Sequence, residues 1–158
     1  MNINNVKSEF PILQEKLKGK PLIYLDSANS AQKPKSVIDR ISKFYKKEFS
    51  NIGRSVHKLA VTATNRFEET RDLVKKYLNA KSREEIIFTK NATEAINLVA
   101  TTFGQQNIGE GDEIIITELE HHSNYVPWHF LRETRKAIIK FAPINEDGDI
   151  IIEKLKEL

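Results

Sequence analysis

The chain contains no cysteine. Within its 158 residues this excludes disulfides, thiolate-bound metals and a cysteine nucleophile. Long apolar runs are missing too. The longest are three or four residues, such as Ile114-Ile115-Ile116, far short of the ~18–20 that a membrane helix needs. Glycine-rich phosphate loops are absent. Neither G-x-G-x-x-G nor G-x-x-x-x-G-K-[ST] occurs, and Gly104, Gly109 and Gly111 fall after the helix that such a loop would have to precede. An excess of one charge is also lacking: 25 Lys+Arg against 22 Asp+Glu leaves +3. The basic residues are scattered, so a pI near 9.0 is weak ground for nucleic-acid binding. The first ten residues hold no apolar core and carry an acid, which argues against a secretory signal.

What is present reads as a globular α/β protein, expected to be soluble and cytoplasmic. Hydrophobic residues make up 39% and charged residues 30%, a composition able to bury a core. The length suits one domain or a piece of a larger one. A weak helix is predicted over 5–18, with Pro11 near its start, and a short strand over Leu22–Leu25. Pro34 suits the first position of a helix whose apolar set runs from Val37 to about Phe49. Leu59, Ala63, Phe67, Val74 and Leu78 mark one face of a long helix. A strand is predicted at 85–89, a helix at 91–103, a strand at 112–117, a helix at 124–136 and a strand at 137–142. That alternation predicts a parallel sheet with crossover helices. The final residues 153–158 read as uncapped helix after too few strands for a doubly covered sheet, so the chain is expected to be cut rather than finished.

Two loops carry candidate chemistry. Asn91-Ala92-Thr93-Glu94 joins a predicted strand to a helix. It reads as a capping box, Asn91 capping and Glu94 reaching back. It also reads as an anion site, with free helix N–H groups and the Thr93 hydroxyl as donors. Glu120-His121-His122-Ser123-Asn124 follows the next predicted strand. Ligands gather beyond the carboxyl ends of parallel strands, so both loops belong at one rim. The His pair suits a structural loop histidine, an imidazole stacked on an aromatic cofactor, or a metal site with His129 or Glu120. H-E-x-x-H is absent, which leaves the metal reading without its usual motif. By default, Arg54 is solvated and His57 caps the long helix.

Four strings resemble the Suf-type branch of the cysteine desulfurases, within the class V aminotransferase-like enzymes. They are Tyr24-Leu-Asp-Ser-Ala-Asn-Ser-Ala-Gln-Lys-Pro34, Arg54-Ser-Val-His-Lys-Leu59, Phe88-Thr-Lys-Asn-Ala-Thr-Glu-Ala-Ile-Asn-Leu-Val-Ala100 and Glu118-Leu-Glu-His-His-Ser-Asn-Tyr-Val-Pro-Trp128. They stand in the family's order and cover essentially the whole chain.

The resemblance implies a partial type I pyridoxal-phosphate transferase large domain, with a mostly parallel sheet. Residues 1–33 would be an N-terminal helix and substrate-entrance loop, and 34–158 the N-terminal part of the cofactor-binding domain. Ala92 and Thr93 would hold the phosphate of pyridoxal 5'-phosphate, and His121 would stack on its ring and assist proton transfer. Ala28, Asn29 and His57 would meet the substrate. The implied reaction takes sulfur from L-cysteine, leaving L-alanine and an enzyme persulfide, for iron–sulfur cluster assembly through a sulfur-acceptor protein. The enzymes are homodimers.

Two positions depart from the pattern: Ala92 replaces a common Thr, and Asn29 replaces a small residue. In the family the Schiff-base lysine, the acid beside the pyridine nitrogen and the persulfide cysteine lie beyond position 158. Lys58 follows His57 inside the Arg-x-x-His string and is not that lysine. The chain alone is therefore expected to be inactive. Rival readings are a non-catalytic module that docks on a full-length homologue, another class V lyase acting on selenocysteine or a sulfinate, and a nucleic-acid binder.

Overall fold

The computed structural model describes residues 3–158. The chain divides into two compact units, one up to Ile86 and one from Ile87 to Leu158.

In the first unit the predicted helix over 5–18 is broken in two. Helix α1 covers Ile3–Ser8, and a separate 3-10 turn covers Pro11–Gln14. Pro11 has no N–H for the preceding turn, and Phe10 before it is extended at φ −104°, ψ 103°. Strands β1 (Lys16–Leu17) and β2 (Lys20–Pro21) make a small antiparallel hairpin. Its turn residues, Lys18 and Gly19, have φ of 52° and 78°, the geometry a two-residue hairpin favours. The predicted strand at Leu22–Leu25 joins no ladder. Among the described residues it makes one backbone bond, Leu22 N–H to the Glu15 carbonyl at 3.1 Å, and leaves Leu25 exposed.

Pro34 stands just outside its helix, in the cap position of α2 (Lys35–Lys43), which runs on as a π-helical turn over Phe44–Glu48. There Phe44, Tyr45 and Phe49 cluster with ring centroids 5.5 to 5.8 Å apart. The long helix α3 (Lys58–Tyr77) buries Ala60 and Ala63. Arg83 then grips Asp72 of α3 side-on, with Nε 2.9 Å from Oδ1. This bond holds the Asp72 carboxyl below its ordinary range.

The strand predicted at 85–89 is not formed. Glu85 ends a 3-10 turn, Arg83–Glu85, whose capping box with Ser82 draws it out of extended geometry. Residues 86–89 pair with no other strand among the described residues.

The second unit holds the parallel sheet that the alternation predicts, reduced to one strand pair. Helix α4 (Ala92–Val99) continues through a π-helical turn, Ala100–Gly104, into a last helical turn α5 (Gln105–Asn107). The helical run therefore ends a turn later than predicted. Strand β3 (Glu113–Thr117) pairs in parallel with β4 (Ile138–Ala142), Glu113 opposite Ile138 and Thr117 opposite Ala142. Helix α6 (Val126–Arg135) is the crossover, and Lys136 stops it in left-handed geometry at φ 57°. Near the end, Asn145 Oδ1 accepts from the N–H groups of Asp147 and Asp149 at 3.0 and 2.8 Å, closing a turn before α7 (Ile152–Lys156). Lys140 on β4 pairs with Glu113 at 2.6 Å.

Leu131 of α6 is the central core residue of this unit, 1% exposed. It packs where Gly104 has no side chain: a Cβ there would lie 2.6 Å from Leu131 Cδ1. No helix among the described residues is long and apolar enough to cross a membrane.

Leu131→Ala should lower stability by about 2–5 kcal/mol, through lost burial plus an unfilled cavity. Urea unfolding followed by circular dichroism measures this. A loss below half a kilocalorie would show that the helix-on-helix contact collapses without cost.

Candidate active site

The sequence draws attention to the start of α4 and to the loop leaving β3. In the structure α4 packs against the 3-10 turn His122–Asn124 that follows this loop. The two chemistry-bearing segments thus sit on elements in contact.

Asn91 caps α4, its Oδ1 accepting from the Glu94 N–H at 2.9 Å. Glu94 reaches back as a capping box does, but one residue further than expected: its Oε2 accepts from the Lys90 N–H at 2.5 Å. The cap leaves the N–H groups of Ala92 and Thr93, and the Thr93 hydroxyl, without partners among the described residues. Both residues are exposed. Two aligned N–H groups at the positive end of a helix, beside a hydroxyl, form a donor set for a phosphate. The Asn91 cap and the free N–H donors therefore coexist, without the reciprocal bond of a full capping box.

His121 stands at the start of the 3-10 turn with an exposed side chain. Its Nδ1 accepts from the Ser123 N–H at 3.1 Å and lies 2.9 Å from the Ser123 hydroxyl. A nitrogen that accepts carries no proton, so the neutral ring holds its proton on Nε2. The loop histidine is thus both structural and open to a ligand. The His121 and His122 rings are perpendicular, with centroids 6.2 Å apart. Glu120, the acid beside them, already uses both carboxylate oxygens. This set is not arranged to share one ion.

Sequence reasoning missed what Glu120 does. Thr117, the last residue of β3, donates its hydroxyl to Glu120 Oε1 at 2.8 Å. Asn124 donates from Nδ2 to Glu120 Oε2 at 2.7 Å, and its Oδ1 accepts from Trp128 Nε1 at 2.9 Å. The i, i+4 spacing of 120, 124 and 128 was the available signal. The Asn124 side chain first, then Thr117, holds the Glu120 carboxyl below its ordinary range against the opposing effect of burial. Two shallow clefts flank this carboxylate. One, of about 280 Å³, is lined by Ile116, Trp128 and Leu155 among others. The other, of about 190 Å³, includes His122, Tyr125 and Phe141. Thr93 and His121 line neither cleft and stand on open surface.

Ala28, Asn29 and His57 belong to the first unit. The 26–30 loop is closed by Ser30 N–H to the Asp26 carbonyl at 3.0 Å. Tyr24 Oη donates to the Ser30 carbonyl at 2.5 Å. Ala28 is exposed on this loop, and the Asn29 amide turns onto Asp26 Oδ2 at 3.3 Å. His57 caps α3 as expected, Nδ1 accepting from the Ala60 N–H at 3.4 Å, which leaves Nε2 free of that bond. Arg54 is exposed, in a loop tied by Gly53 N–H to Thr64 Oγ1 at 3.2 Å.

These segments sit within a known family. Residues 23–158 match the model for Aminotransferase class-V, and the chain belongs to that family. Over 157 residues it is 46% identical to a probable cysteine desulfurase 1 of Mycobacterium leprae, covering 99% of this chain and 26% of that protein. A probable cysteine desulfurase of Halalkalibacterium halodurans is 44% identical over 157 residues, with 99% and 39% covered. The apo cysteine desulfurase of Thermococcus onnurineus superposes with a TM-score of 0.87 at 32% identity, over 98% of this chain and 36% of that one. The chain thus spans about a quarter to two-fifths of the length of the curated relatives named here. The fold class is α/β, a part of the type I pyridoxal-phosphate transferase fold.

Glu120 makes the loop acid-sensitive. A carboxyl lowered in the folded state stabilises the fold above the unfolded carboxylate range, and that stability is lost as pH falls through the folded value. The link should therefore hold at neutral pH and open only when pH falls below the ordinary glutamate range. Carbon-13 NMR of the Glu120 side chain against pH checks this. A midpoint above the ordinary glutamate value would contradict it.

Proposed function

We propose that this chain is the N-terminal part of a cysteine desulfurase that removes sulfur from L-cysteine with pyridoxal 5'-phosphate. The observation that carries the reading is the positive end of α4, where the Asn91 cap leaves the Ala92 and Thr93 N–H groups unpaired among the described residues, on a helix packed against the His121 turn. Identity near 46% to proteins named as probable cysteine desulfurases supports it.

The donor set fits the cofactor's phosphate. The Ala92 and Thr93 N–H groups and the Thr93 hydroxyl are the donors that would meet a dianion, and no glycine loop is needed. Ala92 offers no hydroxyl, so its contribution is the backbone N–H alone. His121 would lie against the ring, with the Nε2 proton free while Nδ1 is engaged by Ser123. When bound, pyridoxal phosphate supplies an electron-withdrawing ring that eases bond breaking at an amino acid's α-carbon and β-carbon. His121 Nε2 would hold or release a proton beside that ring. Ala28, Asn29 and His57 would contact the cysteine substrate at the entrance.

In this reading residues 34–158 belong to the cofactor-binding large domain and 1–33 to the entrance segment. The complete enzyme would work as a cytoplasmic homodimer and pass its sulfur to an acceptor protein for iron–sulfur cluster assembly. The present chain carries no cysteine to take the persulfide. It would bind cofactor without turning over cysteine.

Titration of pyridoxal phosphate into the chain, followed by absorbance, should show saturable binding that inorganic phosphate opposes. Thr93→Ala should weaken it by about 1.5–3 kcal/mol, the worth of one hydrogen bond to a charged group. Alanine and sulfide should not form from L-cysteine above a cofactor-only control. Binding indifferent to both phosphate and Thr93→Ala would refute the phosphate-site assignment.

A further inference from the structure

A catalytic imidazole is useful only if its ring is held in one orientation. The loop that bears His121 runs between the end of β3 and the start of α6, and side chains from both ends meet on one carboxylate. Thr117 Oγ1 closes onto Glu120 Oε1 at 2.8 Å from the strand side. Asn124 Nδ2 closes onto Glu120 Oε2 at 2.7 Å from the helix side. Trp128 Nε1 donates to Asn124 Oδ1 at 2.9 Å, which fixes the amide so that its NH2 faces Glu120. Inside this closed path the Asn124 N–H also donates to the His121 carbonyl at 2.8 Å. At the strand end, Glu118 N–H bonds the Ala142 carbonyl of β4 at 3.2 Å. His121 is therefore bracketed: its backbone is clasped by residues 120 and 124, and its ring by Ser123.

We infer that Glu120 is a positioning residue for His121, its carboxylate joining Thr117 to Asn124 so that the turn presents the imidazole in a single orientation and tautomer. The inference rests on the reading of His121 as the ring-facing residue. It assigns Glu120 no contact with substrate or cofactor. Geometry does the work, not charge. A glutamine amide could accept from Asn124 Nδ2 through its oxygen and donate to Thr117 Oγ1 through its nitrogen. Alanine can do neither.

The test is long-range nitrogen-15 NMR of the His121 ring in the full chain, which reports which ring nitrogen carries the proton. The unsubstituted chain should show Nδ1 bare and Nε2 protonated. Glu120→Ala should raise the Nδ1-protonated form by roughly tenfold, the fold-change that one lost hydrogen bond gives. Glu120→Gln should keep the original signal. Should Glu120→Ala fail to fold, Thr117→Val removes one link with little change of volume and should move the signal in the same direction. An unchanged ring signal in whichever of these two variants keeps a dispersed amide spectrum would overturn the inference. So would a Gln variant that behaves like Ala, since charge would then be the agent. The titration of pyridoxal phosphate is read separately. Its failure would remove the cofactor reading, while the ring spectra still judge whether Glu120 sets the imidazole.

Discussion

Two parallel strands cannot be joined by a tight turn, and that constraint organises the second unit. To lie beside β3, β4 has to be reached by a chain that leaves the far end of β3, rises over the sheet and returns through α6. The residues at that exit, 118–125, must reverse direction within a few positions and satisfy their own polar groups as they go. They do so with a Thr hydroxyl, a Glu carboxylate and an Asn amide in series. The result is a stiff corner at the carboxyl end of the strand, where parallel sheets hold their ligands. The start of α4 lies on the helix packed against the turn within this corner.

Much of this was readable in advance where one physical signal dominated. The isoleucine runs of β3 and β4 have no competing local structure, so their strands form within a residue of expectation. Asn91 was legible as a cap because an Asn three residues before a Glu, ahead of an apolar run, satisfies helix ends in a recurring way. The segment 85–89 shows the opposite case. Its β-branched residues favour an extended chain, and extended they are at Ile86, but a strand also needs a neighbour to pair with. Propensity is local and pairing is not. Helix ends failed where proline intervened at Pro11, and where the run after α4 went on through a π-helical turn to Asn107; the end expected near Phe49 was met within a residue.

The site was legible in part. The candidate residues of the second unit stand on elements in contact; the His57 cap was readable ahead of its helix, while the turn that engages His121 Nδ1 through Ser123 emerges only in the folded loop. Glu120 looked like a spare ligand for a metal. Its true partners are separated from it by three and four positions, and only the folded loop brings them onto the same two oxygens.

The close approach of Gly104 to Leu131 has an evolutionary consequence. Here two helical elements meet where a missing methyl group leaves room for the Leu131 side chain. A larger residue at 104 would meet the Leu131 side chain first, and that leucine would have to turn aside or shorten. Drift at these two positions must therefore be correlated: bulk can be gained at one only as it is shed at the other.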